Sequence, residues 1–150
     1  MRTTRFVDLG LTSGTLWANK NVGADRITDA GIYMSNPSTF FYKDKNYHIP
    51  TKEQFEELIR ECTWKWIEKN DVFGYRITGK NDRYIFLPIT GVYDCFSLLY
   101  SGAYGNYWCS NTHNSSIAYY LYINSSYVHL TSYFRNGGMP IRLVINSTHE

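Results

Sequence analysis

Residues 118 to 130 read AYYLYINSSYVHL, and their aliphatic residues fall on every second position with tyrosines between them. Period two belongs to a strand with one wet and one dry face. Leu121 and Ile123 alternate with Tyr120, Tyr122 and Asn124, and beyond the turn residues Val128 and Leu130 alternate with Tyr127 and His129. A hairpin closed through an Asn124-Ser125 loop is expected to set Tyr122 opposite Tyr127, Leu121 opposite Val128 and Tyr120 opposite His129. Leu121, Ile123, Val128 and Leu130 then lie on one side and Tyr120, Tyr122, Tyr127 and His129 on the other, the condition that fixes register. The spacing predicts Leu121, Ile123, Val128 and Leu130 buried and the Tyr/His set exposed.

Helical periodicity is strongest in IPTKEQFEELIREC. Thr51 as N-cap with Gln54 three residues later forms a capping box, and Phe55, Leu58, Ile59 and Cys62 repeat on one face. The run FVDLGLTSGTLWA reads as a hairpin turning at Ser13-Gly14, and TWKWIE, FGYRITG and RYIFLPITGVY read as strands bounded by Gly, Asn-Asp and Pro. One amphipathic helix over about 51–62 with many short antiparallel strands leads to the expectation of an α+β fold. The 150 residues suit a single domain. Residues 1–100 are expected to form a scaffold, 101–139 a ligand-binding region, and 140–146 a closing strand.

Charge divides the chain in the same place. Twelve of the thirteen acidic residues lie at or before Asp94, and only Arg135 and Arg142 of the fifteen Lys and Arg follow residue 83. A net charge of +2 with no basic stripe gives no pull towards nucleic acid. No apolar run is long enough to span a bilayer, and MRTTRFVDLG lacks the apolar core of a signal peptide, so any export signal is expected outside this sequence. Cys62, Cys95 and Cys109 are too few and too scattered for a disulfide framework, and none lies in a C-x-x-C pair.

Between Ser101 and Met139 there are seven Tyr, seven Ser and five Asn, with no Asp, Glu or Lys. That is the composition of a paratope: rigid amphipathic rings supply contact area, and small polar groups supply adaptable hydrogen bonds. The plainer reading is that tyrosine-rich strands simply have high β-propensity. His113 and His129 have no Cys, Asp or Glu at ligand spacing, and calcium coordination normally needs carboxylates that this region lacks. Trp108 reads as a core or pocket-floor ring, and Arg142, between Ile141 and Leu143, as a structural donor.

Several motifs resemble known proteins. IPTKEQFEELI and GGMPIRLV resemble the helix start and closing strand of the formylglycine-generating-enzyme-like branch of the C-type lectin fold. VDLGLTSGTLWANKNVGA, GYRITGKNDRYIFLPITGVYD and GNYWCSN are closer to the Fibrobacter succinogenes major paralogous domain found in gut bacteria and their phages. Some members of that subgroup resemble variable proteins of diversity-generating retroelements, in which template adenines are rewritten. An AAC codon altered at its adenines can encode Asn, Tyr, Ser, His, Thr, Ile, Phe, Cys and a few others, types that fill much of this segment.

The resemblance implies a C-type lectin-like domain with no catalysis, no metal and no cofactor, whose C-terminal hairpin carries the binding face. The variable positions it implies, taken from residue type, are Tyr104, Asn106, Cys109, Asn111, His113, Tyr120 and Tyr122, then Tyr127, His129, Thr131, Ser132, Tyr133, Phe134 and Asn136. The implied partner is a protein or glycan receptor on a cell or phage surface, with no nucleic acid and no membrane insertion. The implied setting is a phage tail, a bacterial surface or a secreted protein. The alternatives are a non-diversified surface or lipoprotein interaction module and a divergent formylglycine-generating-type enzyme, although Cys109 lacks the second reactive cysteine of that chemistry.

Overall fold

A computed structural model describes residues 4–35, 47–90, 92–94, 97–99, 104–112, 116–134 and 137–146. Strands β1 (Phe6–Asp8) and β2 (Leu16–Ala18) pair antiparallel, and β12 (Val144–Ile145) joins β2 to β3 (Tyr47–His48). Helix α1 (Lys52–Glu61) follows. A three-stranded meander comes next, built from β4 (Thr63–Lys69), β5 (Val72–Thr78) and β6 (Tyr84–Pro88), and then a small ladder of β7 (Val92–Asp94) with β8 (Ser97–Leu99). The last sheet has the order β11 (Val128–Phe134), β10 (Ile117–Ile123), β9 (Gly105–Thr112).

Turn chemistry explains the meander. Asn70 and Asp71, at φ 49° and 66°, join β4 to β5 through a two-residue loop whose twist matches the strands it connects. Gly79, after β5, passes so close to the loop following β1 that an added Cβ would collide with the Leu9 carbonyl oxygen. This close approach locks the meander to the first hairpin.

The capping box of α1 is in place, with Gln54 N donating to Thr51 Oγ1 at 3.1 Å and Thr51 N donating to Gln54 Oε1 at 2.9 Å. Phe55 and Leu58 are fully buried. Glu57 is buried too: its carboxylate accepts from Ser13 N at 2.9 Å and Ser13 Oγ at 2.7 Å, tying the helix to the β1–β2 turn.

The α+β, C-type lectin-like architecture expected above is overturned, because the described chain is mostly β. One ten-residue helix stands against twelve short strands in small antiparallel sheets. The physical reason is in the core, where α1 contributes few side chains while Tyr75, Ile77, Ile85, Leu87, Tyr107, Leu121 and Ile123 come from strands. The helix plugs one part of a β structure and does not form a layer of its own.

Two clusters of buried side chains flank the β9–β10–β11 sheet. The larger packs Tyr107, Cys109, Leu121 and Ile123 against the meander, α1 and Trp17. The smaller packs Trp108 and Ala118, on the opposite face, against Met139, Ile141 and Leu143. The segment 139–145 is held there by bonds from Ala18 N to Leu143 O and from Val22 N to Ile141 O, with the β-bridge of Met34 and Met139 beside them. Only Val144–Ile145 of the expected closing strand is regular.

Arg142 is fully buried in this layer. It donates to Asn21 Oδ1 at 2.7 Å, Ala18 O at 3.1 Å and Phe86 O at 2.7 Å, and burial pulls its pKa down to about 10. Asn21 Nδ2 in turn donates to Tyr107 Oη, which donates to Pro88 O at 2.6 Å. These bonds cross between segments far apart in sequence, the structural role expected for Arg142.

Candidate aromatic binding face

Strand β10 pairs with β11 as Ile123 with Val128, Tyr122 with His129, Leu121 with Leu130 and Tyr120 with Thr131. The expected pairs, Tyr122 with Tyr127, Leu121 with Val128 and Tyr120 with His129, do not form. Asn124 is the reason. Its side-chain oxygen accepts from Ser126 N at 2.8 Å and Tyr127 N at 2.9 Å, and its own N–H donates to Tyr127 O, so the loop takes in all of Asn124 to Tyr127. Each partner moves by two positions, and because the side-chain period is also two, the faces keep their composition.

Leu121 and Ile123 are fully buried, while Tyr127 and His129 are exposed. Tyr120 and Tyr122, expected exposed, are half-buried, and so are Val128 and Leu130, expected buried. The tyrosines lie against neighbouring rings. Val128 and Leu130 lie on β11, at the edge of its sheet, where packing is one-sided.

Two groups of ring contacts run over this face. Tyr122 is the hub: its ring centroid lies 5.0 Å from Tyr104, 5.7 Å from Tyr127 and 5.3 Å from His129, and Tyr127 stacks on His129 at 5.0 Å. Tyr120 meets Trp108 and Tyr133 edge-on at 6.4 Å and 6.0 Å. Such tilted and edge-to-face contacts are the favoured geometry of ring pairs. Burial, with neighbouring tyrosines adding to it, pushes the Tyr120 phenol up to about 12. Tyr127 is 50% exposed, one of the most open large apolar residues described.

The predicted positions do not all share this surface. Tyr104, Tyr120, Tyr122, Tyr127, His129, Thr131 and Tyr133 fall on its side of the sheet. Ser132 is exposed but lies on the opposite side of β11. Asn106 is on the aromatic side yet is buried under Thr90, whose hydroxyl accepts from Asn106 N at 3.3 Å. Cys109, expected at or near the binding face, is fully buried in the larger core, where loss of solvent drives its thiol pKa far above the ordinary range. Asn111 faces the helix, and its Oδ1 accepts from Lys52 N at 2.8 Å. His113, Asn136 and the side chain of Phe134 lie outside the described residues.

The sequence of residues 105 to 112 shows no clear strand phase by itself, so Asn106, Cys109 and Asn111 are placed by residue type alone. The alternation of Gly105, Tyr107 and Cys109 with Asn106 and Trp108 carries that phase once the pairing of Tyr107 with Leu121 is known. Trp108, assigned to a core or pocket floor, is buried and donates its indole N–H to Met34 O at 2.6 Å.

Chemically the face offers rings, hydroxyls and one imidazole. Among the described residues no group of His, Cys, Asp and Glu converges to hold a metal, and no helix is long and apolar enough to cross a membrane. No protein-family model, no curated protein and no solved structure matches the chain.

Proposed function

We propose that the Tyr104–Tyr122–Tyr127–His129 surface is a binding face for a macromolecular receptor, protein or glycan, in the setting of a phage tail or a bacterial surface. The observation that carries this reading is the joined cluster of rings on one side of a β-sheet whose other side is core. Aromatic rings clustered at a solvent boundary commonly mark an interaction site, and Tyr delivers contact area at low entropic cost. The domain binds and performs no chemistry. Its exposed positions are diversified by substitution at adenines, so the ligand differs between copies of the protein.

Two measurements test it. In the surrounding DNA, a near-copy of the codons for residues 104 to 136, differing at adenines and lying beside a reverse transcriptase gene, is the expected finding. If no such copy exists, diversification is wrong. For binding, labelled protein is screened on bacterial cells and immobilised glycans, with Tyr122→Ala and Tyr127→Ala set against Glu56→Ala and Arg60→Ala on the helix. A central anchor should cost about 2 kcal/mol or more. Since this side carries no Asp, Glu or Lys between residues 101 and 139, affinity should change little with salt. Binding that survives both tyrosine substitutions and fails in the helix variants would put the receptor elsewhere.

A further inference from the structure

We propose a second site, an acidic-sugar cleft formed where β1, the segment after β2 and the β4–β5 turn meet. It shares no residue with the aromatic face, so neither proposal depends on the other. The cleft has a volume of about 550 Å³, inside the roughly 300–1,000 Å³ span of small-molecule sites. Three cations line it, Arg5, Lys20 and Arg26, against one carboxylate, Asp25.

Lys20 is the informative residue. It is only 5% exposed, and lysines buried to that degree are normally paired. Among the described residues no ion pair or hydrogen bond of its ammonium is found. Lys20 lines the cleft, and burial of its stem keeps its charge at the cleft wall.

The remaining walls supply hydrogen-bonding groups suited to sugar hydroxyls. Asn19 fixes β1 by accepting from Arg5 N at 3.0 Å and donating its own N–H to Arg5 O at 2.8 Å, which leaves its amide NH₂ free of that bond. Thr28, 8% exposed, adds a hydroxyl, and Asn70 at the β4–β5 turn adds a second amide. Arg26 is partly neutralised by Asp29 at 3.2 Å, so Arg5 and Lys20 carry most of the free positive charge. Cations beside neutral donors are the complement of a pyranose bearing a carboxylate or a sulfate ester.

The test is a titration of the whole chain followed by amide NMR, with glucuronate, galactose 6-sulfate, glucose and inorganic sulfate as separate probes. At least one acidic sugar should give saturable shifts at Asn19, Lys20, Thr28 and Asn70, and which one does so distinguishes carboxylate from sulfate. Glucose should bind roughly tenfold more weakly, the factor carried by loss of one charge-assisted hydrogen bond. Lys20→Met should abolish the shifts. Should that variant fail to fold, the exposed pair Arg5→Gln with Arg26→Gln replaces it and should weaken binding by a similar factor. Glucose or inorganic sulfate matching the acidic sugars, shifts that survive these substitutions, or no saturable binding at tens of millimolar would each overturn the proposal.

Discussion

Leu121 and His129 sit on neighbouring strands of one sheet, but truncating them should have very different consequences. Leu121 is fully buried, paired with Leu130 on one side and Tyr107 on the other, inside the larger core. Leu121→Ala should therefore lose the transfer free energy of its side chain and leave a cavity, about 2–5 kcal/mol together. For a chain of this size that is roughly 4 to 20 °C in Tm. His129 is exposed and stacks on Tyr127 at 5.0 Å with 12° between ring planes, so His129→Ala should cost about 1 kcal/mol or less. Urea unfolding of both variants beside the parent checks this, with equal m-values confirming that the midpoint shift is a stability change. If His129→Ala cost as much as Leu121→Ala, or Leu121→Ala shifted stability by less than about 0.5 kcal/mol, the faces would be assigned the wrong way round.

Glu57→Ala should destabilise by about 1.5–3 kcal/mol, because it leaves Ser13 N and Ser13 Oγ without their charged acceptor; a calorimetric Tm equal to the parent's would refute the clamp. Cys109 and Cys62 should react slowly with a thiol reagent in the native protein and rapidly in denaturant, since burial raises both pKa values, that of Cys62 to about 11; fast native labelling of Cys109 would contradict its core position. Alkaline stability should carry a contribution from Tyr120. An unfolded tyrosine ionises near pH 10 and the folded one at about 12, so stability from this group is complete below about pH 10 and is lost as pH rises through 12. Arg142, lowered to about 10, acts in the opposite sense above that pH, so the measurement is the difference in slope between parent and Tyr120→Phe, which should be flatter.

Local chemistry was legible wherever one residue type dictates one geometry. Thr51 and Gln54 announce the helix start because each satisfies the other's free N–H, and Ser13-Gly14 marks a hairpin because Gly14 takes a positive φ of 80°. The two faces of β10 could be read from alternation, whereas register could not. Register depended on which backbone groups the Asn124 side chain would hold, and a two-residue and a four-residue loop preserve the same alternation. Fold class was misread for a related reason: a well-capped helix is the most visible element in a sequence, but visibility does not measure its share of the core. Buried Glu57 was hidden because its partners, the groups of Ser13, lie 44 residues away.

The aromatic side of the β9–β10–β11 sheet is divided, and the division limits which positions can vary. At one end Trp108 and Ala118 are sealed beneath Met139, Ile141 and Leu143, with Tyr120 and Tyr133 packed partly against them. Substitution there alters a core, where a change of even one methylene is felt. At the other end Tyr127 and His129 are open to solvent, and Tyr122 lies against both of them and against Tyr104, which itself packs on the smaller cluster. Because β10 places Leu121 and Ile123 on the opposite side, exchanging residues at this open end leaves the larger core untouched. A sheet anchored through one face and half of the other can thus accept a wide range of side chains at 122, 127 and 129. Free exchange at 106 or 109 would cost stability, since Asn106 is enclosed beside Thr90 and Cys109 fills a core position with no room for a tyrosine.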